Sequence, residues 1–107
     1  MKRYGMVIGV NPKKIEEYKK LHAAVWTDVL KKITECNIRN YSIYLKDNIL
    51  FSYFEYIGDD FDADMAKMAE DPMTQKWWDV CKPLQSPVAD RADGEWWAAI
   101  PEVFHVD

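Results

Sequence analysis

The sequence predicts an α+β domain of the ferredoxin-like kind, with elements in the order β-α-β-β-α-β. Two periodicities and one turn carry that prediction. Apolar residues alternate in the short runs 38–46 and 49–56, and recur at three- to four-residue steps in the helical segments between and after the strands. The chain has 107 residues, enough for one core and too few for two, so residues 1–107 read as a single domain. Two helices on one face of an antiparallel sheet satisfy all of these observations.

The elements follow in order. Residues 3–10, RYGMVIGV, are rich in β-branched and aromatic residues and end at Asn11-Pro12. Asn11 suits an N-cap and Pro12 the first helical position. A helix then runs to about Thr34, with Ile15, Tyr18, His22, Val25, Val29 and Ile33 on its apolar stripe and mostly Lys, Glu and Asp elsewhere. Residues 38–46 and 49–56 form a hairpin around Lys46-Asp47-Asn48. A second helical stretch covers 59–68, with Phe61, Met65 and Met68 on one side. Asp71-Pro72 restarts a helix that passes through Trp77-Trp78 to about Cys81. Residues 82–95 read as a loop. The last strand spans about Trp96 to Phe104, with Pro101 marking an edge or a bulge. Both faces of the strands are partly apolar, so the open sheet face is expected to pack on a second copy in a homodimer.

Composition excludes several classes. Fourteen Lys and Arg against 18 Asp and Glu give a net charge of −4, and no basic patch stands out, so nucleic acid is not an expected partner. No apolar run approaches the roughly 20 residues of a membrane span. The opening MKRYGMVIGVNP lacks the features of an export signal, which predicts a cytoplasmic protein with Cys36 and Cys81 as reduced thiols. The cysteine spacing and the two histidines do not form a metal motif, and the carboxylates Asp59, Asp60, Asp62 and Asp64 suit a helix start. No GxSxG, P-loop, GxGxxG or CxxC occurs.

The aromatic content is high: five Trp, six Tyr and four Phe. Some of these rings must serve a ligand or an interface. Tyr18, His22 and Trp26 follow at four-residue steps along the first helix. An imidazole beside a phenol on an apolar stripe is either a core histidine held by one hydrogen bond or a proton-transfer group. Trp77 and Trp78 point about 100° apart on a helix, so one of them is left to line a cleft unless both fill space against the sheet. Tyr41 shares a face with Ile43 and Leu45, as a core residue with a tethered hydroxyl or as a substrate contact. Trp96 and Trp97 read as edge or interface packing, and His105 as an exposed tail residue.

These residues together resemble the L-rhamnose mutarotase family across essentially the whole chain. The resemblance rests on the opening strand ending Val10-Asn11-Pro12, Glu17-Tyr18, Leu21-His22 and Val25-Trp26. It continues through Asn40 to Leu45, Gln75-Lys76-Trp77-Trp78 and Glu102-Val103-Phe104. It implies a dimeric α/β-barrel type of ferredoxin-like fold and a cofactor-free isomerase that interconverts the anomers of a 6-deoxy-hexose. His22 matches the family's catalytic proton donor; Tyr18, Tyr41, Trp77 and Trp78 match its substrate-contacting positions. Thr27 departs from the proline usual after the tryptophan, and Gly94-Glu95-Trp96-Trp97 and the ending His105-Val106-Asp107 resemble one branch of the family, so L-fucose competes with L-rhamnose as the sugar. The complementary base is left open among a water, a tyrosine, Glu55 and Glu102. Haem-degrading and quinol monooxygenases of the same fold, and a non-catalytic sugar-binding dimer, are the rival expectations.

Overall fold

Three long strands carry the sheet in a computed structural model that describes residues 1–107: β1 (Lys2–Val10), β2 (Ile38–Lys46) and β3 (Ile49–Tyr56). β3 lies between β2 and β1, and all pairings are antiparallel. The β2–β3 hairpin turns through Asp47 and Asn48, both at positive φ (52° and 63°). That is the two-residue turn whose twist matches a right-handed hairpin, and Asp and Asn tolerate it.

The other edge of β1 is occupied in two pieces. β4 (Gln85–Ser86) pairs with Gly9 and Val10, and β5 (Ala98–Ile100) pairs with Gly5 to Val7. The expected last strand is therefore shortened to three residues, and the expected loop contains a 3₁₀ turn (Lys82–Leu84) followed by the strand fragment β4. Trp96 and Trp97 lie outside the strand that was expected to begin with them, because residues 87–97 leave the edge before β5 returns to it. Gly9 permits the approach of β4, since a Cβ there would collide with the Ser86 carbonyl, a backbone atom that cannot swing aside. Pro101, without a backbone N–H, follows β5 directly.

Four helices pack on the inner sheet face. Asn11 caps a short 3₁₀ turn over Pro12–Lys14, its Oδ1 accepting from Lys13 N–H at 3.0 Å. α1 (Ile15–His22) follows, and α2 (Thr27–Glu35) comes after a break at residues 23–26. The sequence reading of one continuous helix to Thr34 is corrected here. Trp26 adopts extended backbone (φ −60°, ψ 136°) and precedes the first residue of α2, so it leaves the Tyr18–His22 stripe. Its side chain turns instead onto Trp77, edge-on at 5.1 Å.

α3 (Phe61–Glu70) is capped by Asp60, and α4 (Pro72–Cys81) by Asp71 with Pro72 at its first position. The expected acidic helix start is thus a cap plus a buried anchor. Asp64 accepts hydrogen bonds from the Tyr56 hydroxyl at 2.5 Å and from Asn37 at 2.9 Å. These bonds hold its carboxyl below the usual carboxylate range. No helix is long and apolar enough to cross a membrane.

Side chains alternate strictly along β1 and β3, so Ile8, Val10, Leu50, Phe54 and Tyr56 are buried on the inner face. β2 breaks the alternation with a bulge. Arg39 pairs with Glu55 and Ser42 with Tyr53, so Asn40 and Tyr41 together oppose Phe54. Asn40 takes the left-handed conformation this requires (φ 51°). The inserted residue puts Ile38 and Tyr41 on one face although they are three apart. Without it Tyr41 would point away from the helices.

Candidate active site

A cavity of about 550 Å³ separates the inner sheet face from the helices. That falls within the usual range for small-molecule sites. Tyr18, Tyr41, Phe54, Phe61 and four of the tryptophans (77, 78, 96 and 97) line it, with Met6, Met65 and Met68. The aromatic excess is concentrated there. Every site residue expected from the sequence, namely His22, Tyr18, Tyr41, Trp77 and Trp78, lies on this one wall system.

Tyr18 and His22 sit one turn apart on α1 and stack with ring centroids 4.1 Å apart. Trp77 meets the imidazole edge-on at 5.2 Å. His22 Nδ1 lies 2.9 Å from the Tyr18 backbone oxygen. A carbonyl oxygen only accepts, so Nδ1 carries the proton and Nε2 bears a lone pair. No hydrogen bond within the chain engages Nε2. Burial lowers the His22 pKa below its ordinary value, with the bond to the Tyr18 carbonyl opposing this more weakly. The resting side chain at neutral pH is therefore a neutral imidazole with its basic nitrogen free.

The phenols are kept protonated. Burial raises the Tyr18 hydroxyl strongly, against a smaller opposing effect of Gln85. Burial pushes the Tyr41 hydroxyl up to about 12. Tyr41 retains 42% of its surface in the isolated chain. It lines the cavity, packs edge-on against Phe54 at 5.4 Å and makes no hydrogen bond within the chain. Its hydroxyl is thus free for a ligand, and the expected tether is absent. Cys81 also lines the cavity, but burial pushes its thiol up to about 11, which leaves it inert as a nucleophile at neutral pH.

Trp77 is buried against Val29 and Cys81 and Trp78 is half-buried, and both line the cavity. Trp96 and Trp97 line the cavity as well, which corrects their assignment to an edge or interface. The Lys82 ammonium lies 5.4 Å from the ring centroids of both Trp78 and Trp96 and brackets the two indoles. Lys82 and Gln85 are cavity residues that the sequence reading missed. They fall in a proline-containing connection whose periodicity carries no signal, and only the pairing of β4 with β1 brings them in.

No Asp or Glu lines the cavity. Glu55 binds Asn40 and Tyr53, and Glu102 makes a two-point ion pair with Arg3 at 3.0 Å. Glu55 follows the alternation of β3 onto the opposite sheet face and Glu102 meets Arg3 there, so neither carboxylate reaches the cavity to serve as the complementary base.

A family model described as L-rhamnose mutarotase matches residues 3–106. The chain is 36% identical to an L-rhamnose mutarotase of Oceanobacillus iheyensis and 35% identical to one of Phocaeicola vulgatus, each over the full length of both chains. Among solved structures, the L-rhamnose mutarotase of Formosa agariphila superposes with a TM-score of 0.78 at 22% identity, covering both chains completely. The tetracenomycin F2 cyclase of Streptomyces glaucescens shares the fold, with a TM-score of 0.72 at 16% identity and the same coverage. On the strength of the full-length sequence matches, this chain belongs to the L-rhamnose mutarotase family.

Proposed function

We propose that the protein interconverts the α and β anomers of a 6-deoxy-hexose, L-rhamnose foremost, by cofactor-free proton transfer through His22. The observation that carries this reading is the free Nε2 of a neutral imidazole, stacked on a protonated phenol in an aromatic cavity without carboxylates. Mutarotation needs one proton moved between two oxygens on the same carbon. A base takes the proton of the anomeric hydroxyl, the carbon–ring oxygen bond breaks with its electron pair on the ring oxygen, and that oxygen is protonated. Rotation of the open aldehyde and the reverse steps close the other anomer.

In this scheme His22 acts first as base through Nε2. Once charged by that proton, it becomes the donor that the family resemblance assigns to it. The phenols of Tyr18 and Tyr41 donate hydrogen bonds to sugar oxygens, and the indoles of Trp77 and Trp78 pack on the ring and exclude water. Met65, Met68 and Phe61 offer a methyl-bearing carbon an apolar contact, whereas a hydroxyl at that carbon would be left unpaired. This favours 6-deoxy sugars. Membership of the family separates the chain from the haem-degrading and quinol monooxygenases of the same fold. The two buried free thiols support the cytoplasmic assignment.

Saturation-transfer proton NMR of anomer exchange tests the reading directly. The protein is expected to accelerate exchange of L-rhamnose over buffer, and to do so less for the 6-hydroxy counterpart. A faster rate with L-fucose would reassign the substrate. Sugar binding, seen as a change in tryptophan fluorescence, without any acceleration would make the protein a binding dimer and sink the enzyme reading.

The active unit in this proposal is a homodimer. Tyr44 (66% exposed), Phe51 and Ile100 form an apolar outer sheet face, and Val103 and Phe104 extend it along the tail. Apolar area of this kind on a small chain marks an interaction surface. Sedimentation velocity at micromolar concentration is expected to give twice the chain mass. The double substitution Tyr44→Glu and Phe51→Glu is expected to give monomers. A monomeric parent protein would end the dimer proposal.

A further inference from the structure

Gln85 joins two cavity residues that the sequence separates widely. The Trp96 indole Nε1–H donates to Gln85 Oε1 at 2.7 Å, and Gln85 Nε2 lies 3.3 Å from the Tyr18 hydroxyl. The polarity of this chain follows from its first member. An indole N–H is a donor only, so the amide must present its oxygen to Trp96 and therefore its NH₂ to Tyr18. The Tyr18 oxygen accepts that bond, which leaves the phenolic proton unused within the chain. The Gln85 bond is the hydroxyl's only bond within the chain, and Tyr18 lines the cavity.

We propose that Gln85, clamped by Trp96, is a positioning residue that turns the Tyr18 hydroxyl proton into the cavity, so that Tyr18 faces the sugar as a donor beside the acceptor His22. This rests on the reading of the site as a mutarotase centre and adds an origin for the donor–acceptor polarity of the Tyr18–His22 pair. Each member has its proton placed by a bond on the side away from the substrate: His22 by the Tyr18 carbonyl, Tyr18 by the Gln85 amide. The pair thus presents one donor and one acceptor together, which suits two oxygens on one carbon. The Lys82 ammonium, 5.4 Å from the Trp96 ring centroid, packs against the clamp.

Gln85→Glu tests the polarity with almost no change of shape. The introduced carboxylate accepts from both neighbours, so it draws the Tyr18 proton away from the sugar. The expected result at pH 8 is a kcat for exchange lower by roughly tenfold, the worth of one hydrogen bond made in the transition state, with a smaller change in KM. The ratio of variant to parent rate is expected to climb as pH falls and the introduced carboxyl gains a proton it can donate to Tyr18. The other titratable groups facing this point are His22 on α1, Tyr41 on β2, Cys81 on α4 and Lys82 beyond it. All are common to both proteins, but the introduced negative charge raises the His22 pKa, which by itself would make the ratio fall as pH falls, so a climbing ratio reports the Tyr18 bond.

Gln85→Leu removes the bond without reversing it, so its ratio to the parent is expected to be independent of pH. Trp96→Phe frees the amide to turn over and is expected to give a smaller, pH-independent loss. It also serves as the second variant should Gln85→Glu fail to fold by circular dichroism. The proposal is overturned if Gln85→Glu stays within about twofold of the parent at every pH, or if it and Gln85→Leu fall equally with no pH dependence. In the fallback, a Trp96→Phe rate equal to the parent's overturns it. Rhamnose affinity by tryptophan fluorescence is read in parallel. If the parent protein itself fails to accelerate exchange, the mutarotase reading falls, and the pH trend of the affinity ratio alone decides the role of Gln85.

Discussion

His22→Asn is expected to fold and to lose about 10²–10⁴-fold of the anomer exchange rate, the usual worth of a positioned proton-transfer group. Asparagine is the informative replacement because its amide nitrogen can still donate to the Tyr18 carbonyl, as Nδ1 does at 2.9 Å. What it lacks is the basic Nε2. The pH profile gives a second reading of the same prediction. Burial lowers the His22 pKa, so the acid limb of kcat/KM belongs below the ordinary imidazole value of about 6.5, and the rate is flat from there through neutrality. The same limb disappears from the residual activity of His22→Asn. Stability moves in the matching direction. The unfolded chain takes up the His22 proton before the folded one does, so the stabilising contribution is complete above about pH 6.5 and is lost as pH falls towards the folded pKa. A His22→Asn protein that exchanges anomers within tenfold of the parent would remove His22 from the reaction.

Trp77→Ala is expected to cost about 3–5 kcal/mol, the largest stability loss from a single truncation in this chain. For a domain of this length that corresponds to a Tm lower by on the order of 15 °C. Trp77 is buried to 6% exposure and packs with Val29 and Cys81, joining α2 to α4. It also meets both His22 and Trp26 edge-on, at 5.2 and 5.1 Å. Its removal therefore opens a void and leaves the imidazole without its lateral support, so the exchange rate of whatever remains folded falls too. Trp77→Phe keeps an aromatic edge and is expected to retain most of the stability. Thermal melting by circular dichroism separates the two. A loss below 1 kcal/mol for Trp77→Ala would show that α2 and α4 close over the gap, and that Trp77 is a wall of the cavity rather than its keystone.

The two tryptophan pairs show where sequence patterning works. Trp77 and Trp78 lie inside a capped, periodic helix, so the 100° step between them lets only one ring face the core squarely; Trp77 is buried and Trp78 half-buried. Trp96 and Trp97 lie in a segment whose regular structure exists only through pairing with β1, and their placement in a strand failed. The Trp26 misreading has a similar cause. Four-residue spacing from His22 continues the stripe only if the helix continues, and the extended backbone at Trp26 ends it. Gln85 and Lys82 carried no local signal, because neither periodicity nor composition distinguishes them from ordinary loop residues.

Local patterning specifies the three long strands, the hairpin turn, the caps at Asn11 and Asp71, and Tyr18, His22, Tyr41, Trp77 and Trp78 as residues that line the cavity. Those features are local: a turn, a cap or an amphipathic stripe is written within a few residues and survives any tertiary arrangement compatible with it. Tertiary structure decided which face Tyr41 points to, through a single bulge opposite Phe54. It also decided that the last edge of the sheet is split, that Trp96 and Gln85 meet, and that Glu55 and Glu102 stand behind the sheet. The physical reason is that hydrogen-bond polarity and sheet register depend on partners distant in the chain. A one-residue change in register reverses every side chain beyond it, and a donor-only group elsewhere decides which end of the Gln85 amide faces Tyr18.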